Sequence, residues 1–459
     1  MSHALKTDFY QLTMMYAYFA ADMGGEVTFE YFVRKLPRRR RFMIYAGLQQ
    51  AVEYLQGLGF NGDQIDFLRQ TPTFATVGDA QTRERFFEWL RQFKFTGTVR
   101  AAAEGTAFFP NEPMLQVTGD LLQCQLIETY LLSIMNYQTL VATKAARVRL
   151  AAGDRTLIDF GTRRAHGPGA GVLAARGAFV GGFNGTSNVE AAFEMGIPPV
   201  GTAAHAYTMA FEQEEAAFAH YLKTFPETTT LLIDTYDTIR GAHRAAALGK
   251  GVKGVRLDSG DLGALAVSVR KILDDAGLPD ARIVASNDLN ELKIKALVGA
   301  GAPIDVYGVG TELVTSRDDP TLSGVYKLVE KEVDGQRMPA MKLASSKPSY
   351  PGRKDFHRGY DAQGRLCAGI LTQHGEAPEA VAGVTRTEQM LQTVLEGGKA
   401  VGARPSLSDI QANTLANLEM LPQTLRALDG ALEDHPIGFH VSPRTHKLIQ
   451  ECRARYKAG

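Results

Sequence analysis

The chain has 459 residues, 45% apolar and 22% charged, with Lys plus Arg and Asp plus Glu at 50 each and a formal net charge of zero. That length exceeds a single core and suits two domains, the ordinary composition argues against extensive disorder, and the charge balance argues against a globally basic nucleic-acid binder. Cys124, Cys367 and Cys452 lie far apart with no CxxC pair, which disfavours a zinc ribbon or a disulfide scaffold and suits a reducing cytoplasm. No apolar run approaches the roughly 18 residues of a membrane span, and the first residues carry no secretory pattern. A soluble cytoplasmic protein with no membrane or nucleic-acid partner is expected.

In chain order, residues 8–21 predict a helix, with Thr7 or Asp8 as its cap and Leu12, Met15 and Phe19 recurring at helical spacing. Residues 26–34 alternate and are rich in β-branched and aromatic types, hence a strand. Arg38, Arg39, Arg40 and Arg41 follow, readable either as a solvated loop or as an anion-binding arm. Residues 47–95 read as mostly helical, with Trp89 as packing. Strands at 95–100 and 113–118 bracket residues 104–110. Residues 120–152 form a long apolar-periodic helical stretch, in one piece or two, stopped by Gly153.

From 155 to about 315 the pattern changes to strand, glycine-bearing turn and helix. Strand-like pieces precede or span Asp159, Asn184, His205, Asp234, Asp258, Asn287 and Thr311, with 177–183 a further weak one. Helical partners are expected at 188–194, 206–223, 238–248, 262–276 and 290–300. About six such units suggest an irregular β/α barrel. An open doubly wound sheet ranks second, because the G-x-G-x-x-G fingerprint is missing at the first strand–helix junction. Beyond 320 the chain returns to strands, with a hairpin at Asp334-Gly335, a basic segment at 345–354 and a helix near Leu407–Met420. The expected fold class is therefore α/β: a barrel over 151–345 beside an α+β domain built from 1–150 and a C-terminal return, 346–459.

The polar residues cluster at the expected strand ends. Backbone N–H groups in the turns at 184–188, Ser286-Asn287 and Gly308-Val-Gly310-Thr311 can cradle phosphate. Alternation puts Arg256 and Asp258 on one face, where an arginine fork suits a phosphate or carboxylate and the aspartate suits ribose hydroxyls or Mg²⁺-bound pyrophosphate; an internal Arg–Asp ion pair is the plain alternative. Asp159 and Arg163 pose the same choice, and Phe160 beside Arg163 offers an aromatic face next to a guanidinium, the pairing for a planar ring bearing a carboxylate. His205 reads as a base, a metal ligand, a covalent nucleophile or a hydrogen-bonded structural residue. With no HxH or HxxxH nearby, and His220 and His243 in predicted helices, a histidine-rich metal site is disfavoured.

Taken together, residues 7–14 (TDFYQLTM), 159–166 (DFGTRRAH), 185–188 (GTSN), 201–205 (GTAAH), 256–261 (RLDSGD) and 307–311 (YGVGT) resemble nicotinate phosphoribosyltransferase, from residue 7 to about 357. The resemblance implies a type II phosphoribosyltransferase, an ATP-coupled ligase acting on nicotinate, phosphoribosyl pyrophosphate and ATP with Mg²⁺, as a head-to-tail homodimer with shared active sites. It implies that His205 becomes a phosphohistidine, oriented by Asp234, and that Asp258 meets the ribose hydroxyls or the metal. Tyr10 of one subunit and Phe160 of the other would sandwich the pyridine ring, with Arg163 at its carboxylate and Thr202 beside it. Arg256, Ser259, Asn287, Gly308, Gly310 and Thr311 would hold phosphoribosyl pyrophosphate, with Arg38 and its neighbours, Lys347 and Lys354 as further pyrophosphate candidates. The competing expectations are a relative acting on nicotinamide or quinolinate, disfavoured by the Thr162-Arg163-Arg164 run, and a phosphate-binding barrel aldolase or isomerase, for which Glu312 and Lys253 are the only nearby groups. A non-catalytic ligand sensor on the same fold is the third.

Overall fold

A computed structural model describes residues 3–343, 349–430 and 436–457. The N-terminal half is built on an antiparallel seven-stranded sheet, in the order Gln336–Pro339, Gly324–Val333, Glu26–Val33, Leu115–Asp120, Thr98–Ala101, Gln392–Glu396 and Lys399–Ala400. Residues 324–339 sit inside the stretch expected to be barrel, yet they lie along Glu26–Val33, with Tyr326 opposite Tyr31. Asp334 and Gly335, at φ 52° and 71°, turn that hairpin in the left-handed geometry such two-residue loops need. The other edge of the sheet is closed by 392–400, so segments from beyond residue 320 form both edges of the N-terminal sheet. Helix Phe9–Ala20 begins after Asp8, whose carboxylate takes the Thr129 hydroxyl at 2.8 Å instead of capping its own helix. Trp89 packs on Phe19, Phe86 and Phe93.

The 120–152 stretch is two helices, Leu121–Leu126 and Glu128–Ala152, the first capped by the Asp120 carboxylate and the second ended at Gly153 with φ 61°. Every residue from Gln138 to Val148 is buried, because this helix runs between the sheet and the barrel and has no wet face.

Six parallel strands make the barrel: Gly185–Thr186, Thr156–Asp159, Val306–Val309, Arg282–Ala285, Gly254–Leu257 and Thr230–Leu232 in spatial order. Neighbours in space are neighbours in sequence, and the last strand returns beside the first, Val309 against Asp159. A parallel bridge from Thr186 to Pro199 extends one side, but no strand pairing joins Val200 to Thr230. The barrel is irregular in this specific sense: it has a seam. Two expectations fail here. Residues 177–183 are the end of helix Pro168–Val180 and its turn, not a strand; the apolar run is buried against helix Glu128–Ala152, where a methyl on Gly181 would overlap Ala142. The single helix expected over 206–223 is two, His205–Met209 and Glu214–Thr224.

The four-arginine run is neither one loop nor one arm. Arg38 and Arg39 are exposed, whereas Arg40 and Arg41 are buried. Arg40 grips Asp318 (2.6 and 3.0 Å) and Ser316 (2.9 Å), and Asp318 and Glu291 share Lys144, with Arg147 on Glu291 at 3.0 Å. Arg41 donates to the carbonyls of Thr424, Asp429 and Gly430. Lys354 is likewise spent inside, on Glu30 at 2.9 Å, so burial removes it from the pyrophosphate candidates. Lys347 lies outside the described residues. A four-stranded sheet (Arg386–Gln389, Lys354–Tyr360, Leu366–Gln373, Gly438–Val441), the expected helix Leu407–Met420 and a last helix, Pro443–Lys457, follow. Among the described residues no helix is long and apolar enough to cross a membrane.

Candidate functional site

The carboxyl ends of the barrel strands bring His205, Asp234, Arg256, Asp258, Phe160 and Thr202 to one place, as barrel geometry dictates for loops that follow parallel strands. His205 opens the short helix on the seam segment, and its Nε2 faces Asp234 Oδ1 at 3.2 Å. Asp234 is almost wholly buried. Its other oxygen accepts from the Asp258 backbone N–H at 2.9 Å and the Ser259 hydroxyl at 2.7 Å.

Arg256 is held on three sides: Nε to Ser286 Oγ at 2.9 Å, Nη1 to Thr202 Oγ1 at 2.9 Å and Nη2 to Asp258 Oδ1 at 2.8 Å. Its guanidinium lies over the Phe160 ring, 5.2 Å from the centroid. The internal Arg256–Asp258 pair thus exists, but inside the site, and it leaves N–H groups of Arg256 and one oxygen of Asp258 uncommitted. Burial pushes the Asp258 carboxyl up; the Ser286 hydroxyl, a short bond, and Arg256 outweigh it and hold the group below the usual carboxylate range. The ring of Phe160 rests directly on Gly308, where any Cβ would overlap it, so that glycine is required by the aromatic wall. A Cβ on Gly310 would stand 3.2 Å from the Phe160 carbonyl oxygen, a tight contact and not an overlap, and Thr311 starts the next turn.

Asp159 is not paired with Arg163. It is fully buried, takes the Thr186 hydroxyl and the Gly161 N–H at 2.8 Å each, and burial raises its carboxyl to about 6. Arg163 and Arg164 stand exposed in the turn Thr162–Arg164, and Arg163 has no ion-pair partner among the described residues. Two adjoining cavities of about 320 and 190 Å³ share Phe160, Arg163, Arg256 and Asp258. The larger reaches Thr202 and His205; the smaller reaches Ser286, Asn287, Gly308, Gly310 and Thr311. Asn287 and Asp288 have φ of 98° and 45°, a backbone kept in the sparsely populated region at the cavity wall.

Some candidates do not converge within one chain. Tyr10 lines neither cavity and is half exposed on its helix, beside exposed Phe9 and Met14. Arg38 is exposed, its backbone N–H bonded to Asp319 at 2.6 Å, and it too lines neither cavity. Ser286 and Arg164 belong to the site and were not singled out as ligands. Ser286 sat in a recognised turn, but nothing in a sequence shows that one hydroxyl will bridge Arg256 and Asp258. Among the described residues no three His, Cys, Asp or Glu gather as a metal cage. One uncommitted Asp258 oxygen beside phosphate-sized cavities instead fits Mg²⁺ carried in on substrate phosphates, the usual habit of that ion.

Chemically, the arrangement offers a carboxylate-oriented imidazole, an aromatic face, guanidinium groups for anions and one free carboxylate oxygen. Comparison with known proteins agrees with this set. Residues 5–136 match the nicotinate phosphoribosyltransferase N-terminal domain and residues 156–367 the nicotinate phosphoribosyltransferase family. A nicotinate phosphoribosyltransferase of Mycobacterium tuberculosis is 40% identical over 95% of this chain and 91% of its own. That of Bacillus subtilis is 37% identical over 99% and 96%. The crystal structure of human nicotinic acid phosphoribosyltransferase superposes with a TM-score of 0.85 at 30% identity, covering 97% of this chain and 99% of that one. The nicotinate-nucleotide pyrophosphorylase of Pyrococcus furiosus follows at 0.73 and 26%, covering 91% and 96%.

Proposed function

This chain belongs to the nicotinate phosphoribosyltransferase family, and from that premise we propose that it joins nicotinate to the phosphoribosyl group of phosphoribosyl pyrophosphate, giving nicotinate mononucleotide and pyrophosphate. The pyridine nitrogen lone pair forms the bond to ribose C1 as the bond from C1 to the pyrophosphate oxygen breaks, its electrons leaving with pyrophosphate. The observation that carries the reading is Arg163, exposed and unpaired beside the Phe160 face, a few side chains from a fixed guanidinium at Arg256: two cationic points for a substrate pair anionic at two ends. Arg256 N–H groups left over from its three bonds would meet phosphate oxygens, and the free Asp258 oxygen would face the positive charge developing on the ribose or hold Mg²⁺. Mg²⁺, when bound with pyrophosphate, would neutralise the leaving group. Ser259, Asn287, Gly308, Gly310 and Thr311 suit the remaining phosphoribosyl contacts.

The ATP coupling runs through His205. With its Nε2 proton directed at Asp234, Nδ1 carries the lone pair; it bonds to the γ-phosphorus of ATP as ADP leaves, and water later takes the phosphoryl group as phosphate. Tyr10, which lines no cavity in its own chain, completes the ring sandwich from a second copy; exposed Phe9, Tyr10 and Met14 on one side and Val189, Phe193 and Met209 near the barrel mouth are the faces a homodimer would cover. The decisive experiment is product formation from nicotinate, nicotinamide and quinolinate with phosphoribosyl pyrophosphate, with and without ATP, while following ADP. Nicotinate-only turnover with ADP release is expected. Turnover without ADP would remove the phosphohistidine, and turnover of nicotinamide or quinolinate instead would reassign Arg163.

A further inference from the structure

Phe160 and Arg163, on which the nicotinate reading rests, share a turn that is fixed from behind. Asp159 closes strand Thr156–Asp159, is fully buried and lines neither of the two substrate cavities. Its carboxylate nevertheless touches both of their walls. Oδ1 accepts the Gly161 N–H at 2.8 Å, and Gly161 is the link between Phe160 and the turn Thr162–Arg164. Oδ2 accepts the Thr186 hydroxyl at 2.8 Å, and the Asp159 carbonyl accepts the N–H of Ser187, a residue of the larger cavity, also at 2.8 Å. One residue thus ties the aromatic and arginine wall to the wall opposite.

The two donors call for a carboxylate in particular. Thr186 Oγ1 already accepts the Asn188 N–H at 3.0 Å, which leaves its proton for Asp159. A carboxylate can accept on both oxygens, whereas an amide of the same shape accepts on one and would turn an NH₂ on the second partner. Stability alone does not favour a charge here. Among the described residues no cation pairs with Asp159, and burial works against its ionised form. The turn itself has little other anchorage. The Phe160 N–H reaches Val309 on the next strand at 2.9 Å, but beyond Gly161 the N–H groups of Arg164 and Ala165 bond only within the turn, to Gly161 and Thr162. The Gly161 N–H is therefore the last backbone donor of this turn to reach back to a strand.

We propose that Asp159 is a positioning residue for the pyridine acid. By accepting from Gly161 and Thr186 it fixes the Phe160–Arg163 turn against the Ser187 wall, and so sets the preference for a carboxylate over an amide on the ring. A guanidinium distinguishes the two through its planar fork, and a fork discriminates only when its backbone is held. This inference rests on the nicotinate reading, which makes these two walls the ring site.

The test is steady-state kinetics of the full chain with nicotinate and with nicotinamide, alongside melting temperatures. Asp159→Asn is expected to raise KM for nicotinate by about tenfold, to change kcat by less than about twofold, and to narrow the acid-over-amide ratio. Thr186→Val, which removes one donor, should move KM in the same direction, and Thr186→Ser, which restores the hydroxyl, should bring it back. Val269→Ala is the control for lost stability: this buried position on helix Leu262–Asp275 lines neither cavity, so it should lower the melting temperature with KM unchanged. An unchanged KM in Asp159→Asn overturns the inference. So does a KM that rises as much in Val269→Ala, or a Thr186→Ser variant no better than Thr186→Val. Should Asp159→Asn fail to fold, the Thr186 pair decides alone. Failure of the nicotinate reading is separate: it would show as no turnover of nicotinate by the wild type, and it would remove this inference with it.

Discussion

The Asp234 carboxylate is fixed on one oxygen by the Asp258 N–H and the Ser259 hydroxyl, and presents the other to His205 Nε2 at 3.2 Å. The imidazole is oriented by a group that cannot itself move, and Nδ1 is the nitrogen left open. Phosphoryl transfer from ATP should therefore give the Nδ1 isomer, which ³¹P NMR distinguishes from the Nε2 isomer; an Nε2 adduct would contradict the orientation. Asp234→Asn should slow formation of the adduct by about a hundredfold while leaving the chain folded.

Arg163 has the exposure and the aromatic neighbour needed for a ring carboxylate. Replacing it with Ala should raise KM for nicotinate about 10- to 100-fold, the size of a lost charge-assisted hydrogen bond, with ATP hydrolysis little changed. Lys at this position should restore only part, because an ammonium cannot form the fork. If KM does not move, Arg164, its neighbour along the smaller cavity, is the carboxylate's partner.

Gly308 tests the aromatic wall. A methyl there would meet the Phe160 ring face, so Gly308→Ala should push that ring off its seat, and with it the Arg256 guanidinium stacked on it. Steady-state kinetics should show loss of nicotinate affinity, and calorimetry a destabilisation of about 1–3 kcal/mol, typical of overpacking.

Asp159 sets a pH dependence. Burial raises its folded-state carboxyl from 3.8 to about 6, so the folded chain binds this proton more tightly than the unfolded one. Its contribution to stability is complete below the unfolded value and is lost as pH rises through about 6. Relative to Asp159→Asn, the wild type should lose up to about 3 kcal/mol between pH 3.8 and 6 and then level off, measured by denaturant titration across that range. A constant difference between the two proteins would mean that the group is already ionised without cost.

The buried cluster around Asp318 ties the N-terminal half to the barrel. Three cations, Arg40, Lys144 and Arg147, share two anions, Asp318 and Glu291. Asp318→Ala leaves the cations under-compensated and should cost about 3 kcal/mol; adding Arg40→Met should recover part of it, which a double-mutant cycle in thermal denaturation measures.

What could be read in advance follows the range of the interactions. Arg256 and Asp258 are two residues apart in a strand and its exit, so alternation alone put them on one face. Helix Leu407–Met420 lies where the sequence placed a helix, and the structure starts it with a Ser406–Asp409 capping box. Six parallel strands each end in a polar turn, and that rhythm gave the barrel. The fate of Arg40 and Arg41 was hidden, because their partners lie at Asp318 and at residues 424–430, far along the chain, and a run of four arginines looks the same wet or buried. The apolar 177–183 run misled for a related reason: a helix buried on most sides loses the periodicity that separates it from a strand. Ser286 was read only as part of a phosphate-binding turn, because the bridging role of its hydroxyl between Arg256 and Asp258 is set by a three-way contact, and Tyr10 lines neither cavity of its own chain.

The barrel's seam has a consequence for motion. Between Val200 and Thr230 the backbone has no ladder, and the short helix carrying His205 is held by side chains instead: His205 on Asp234, and Tyr207 on the His220 ring nitrogen and against Phe211 and Tyr221. Displacing the His205–Met209 turn breaks no strand pair, so it should open at lower cost than the strands on either side, and hydrogen exchange should find its amides faster than theirs. In the coupling proposed above, a phosphoryl group on the imidazole would reposition the residue that carries it while the sheet stays whole, and the hinge would be a place where the barrel has no strand pairing.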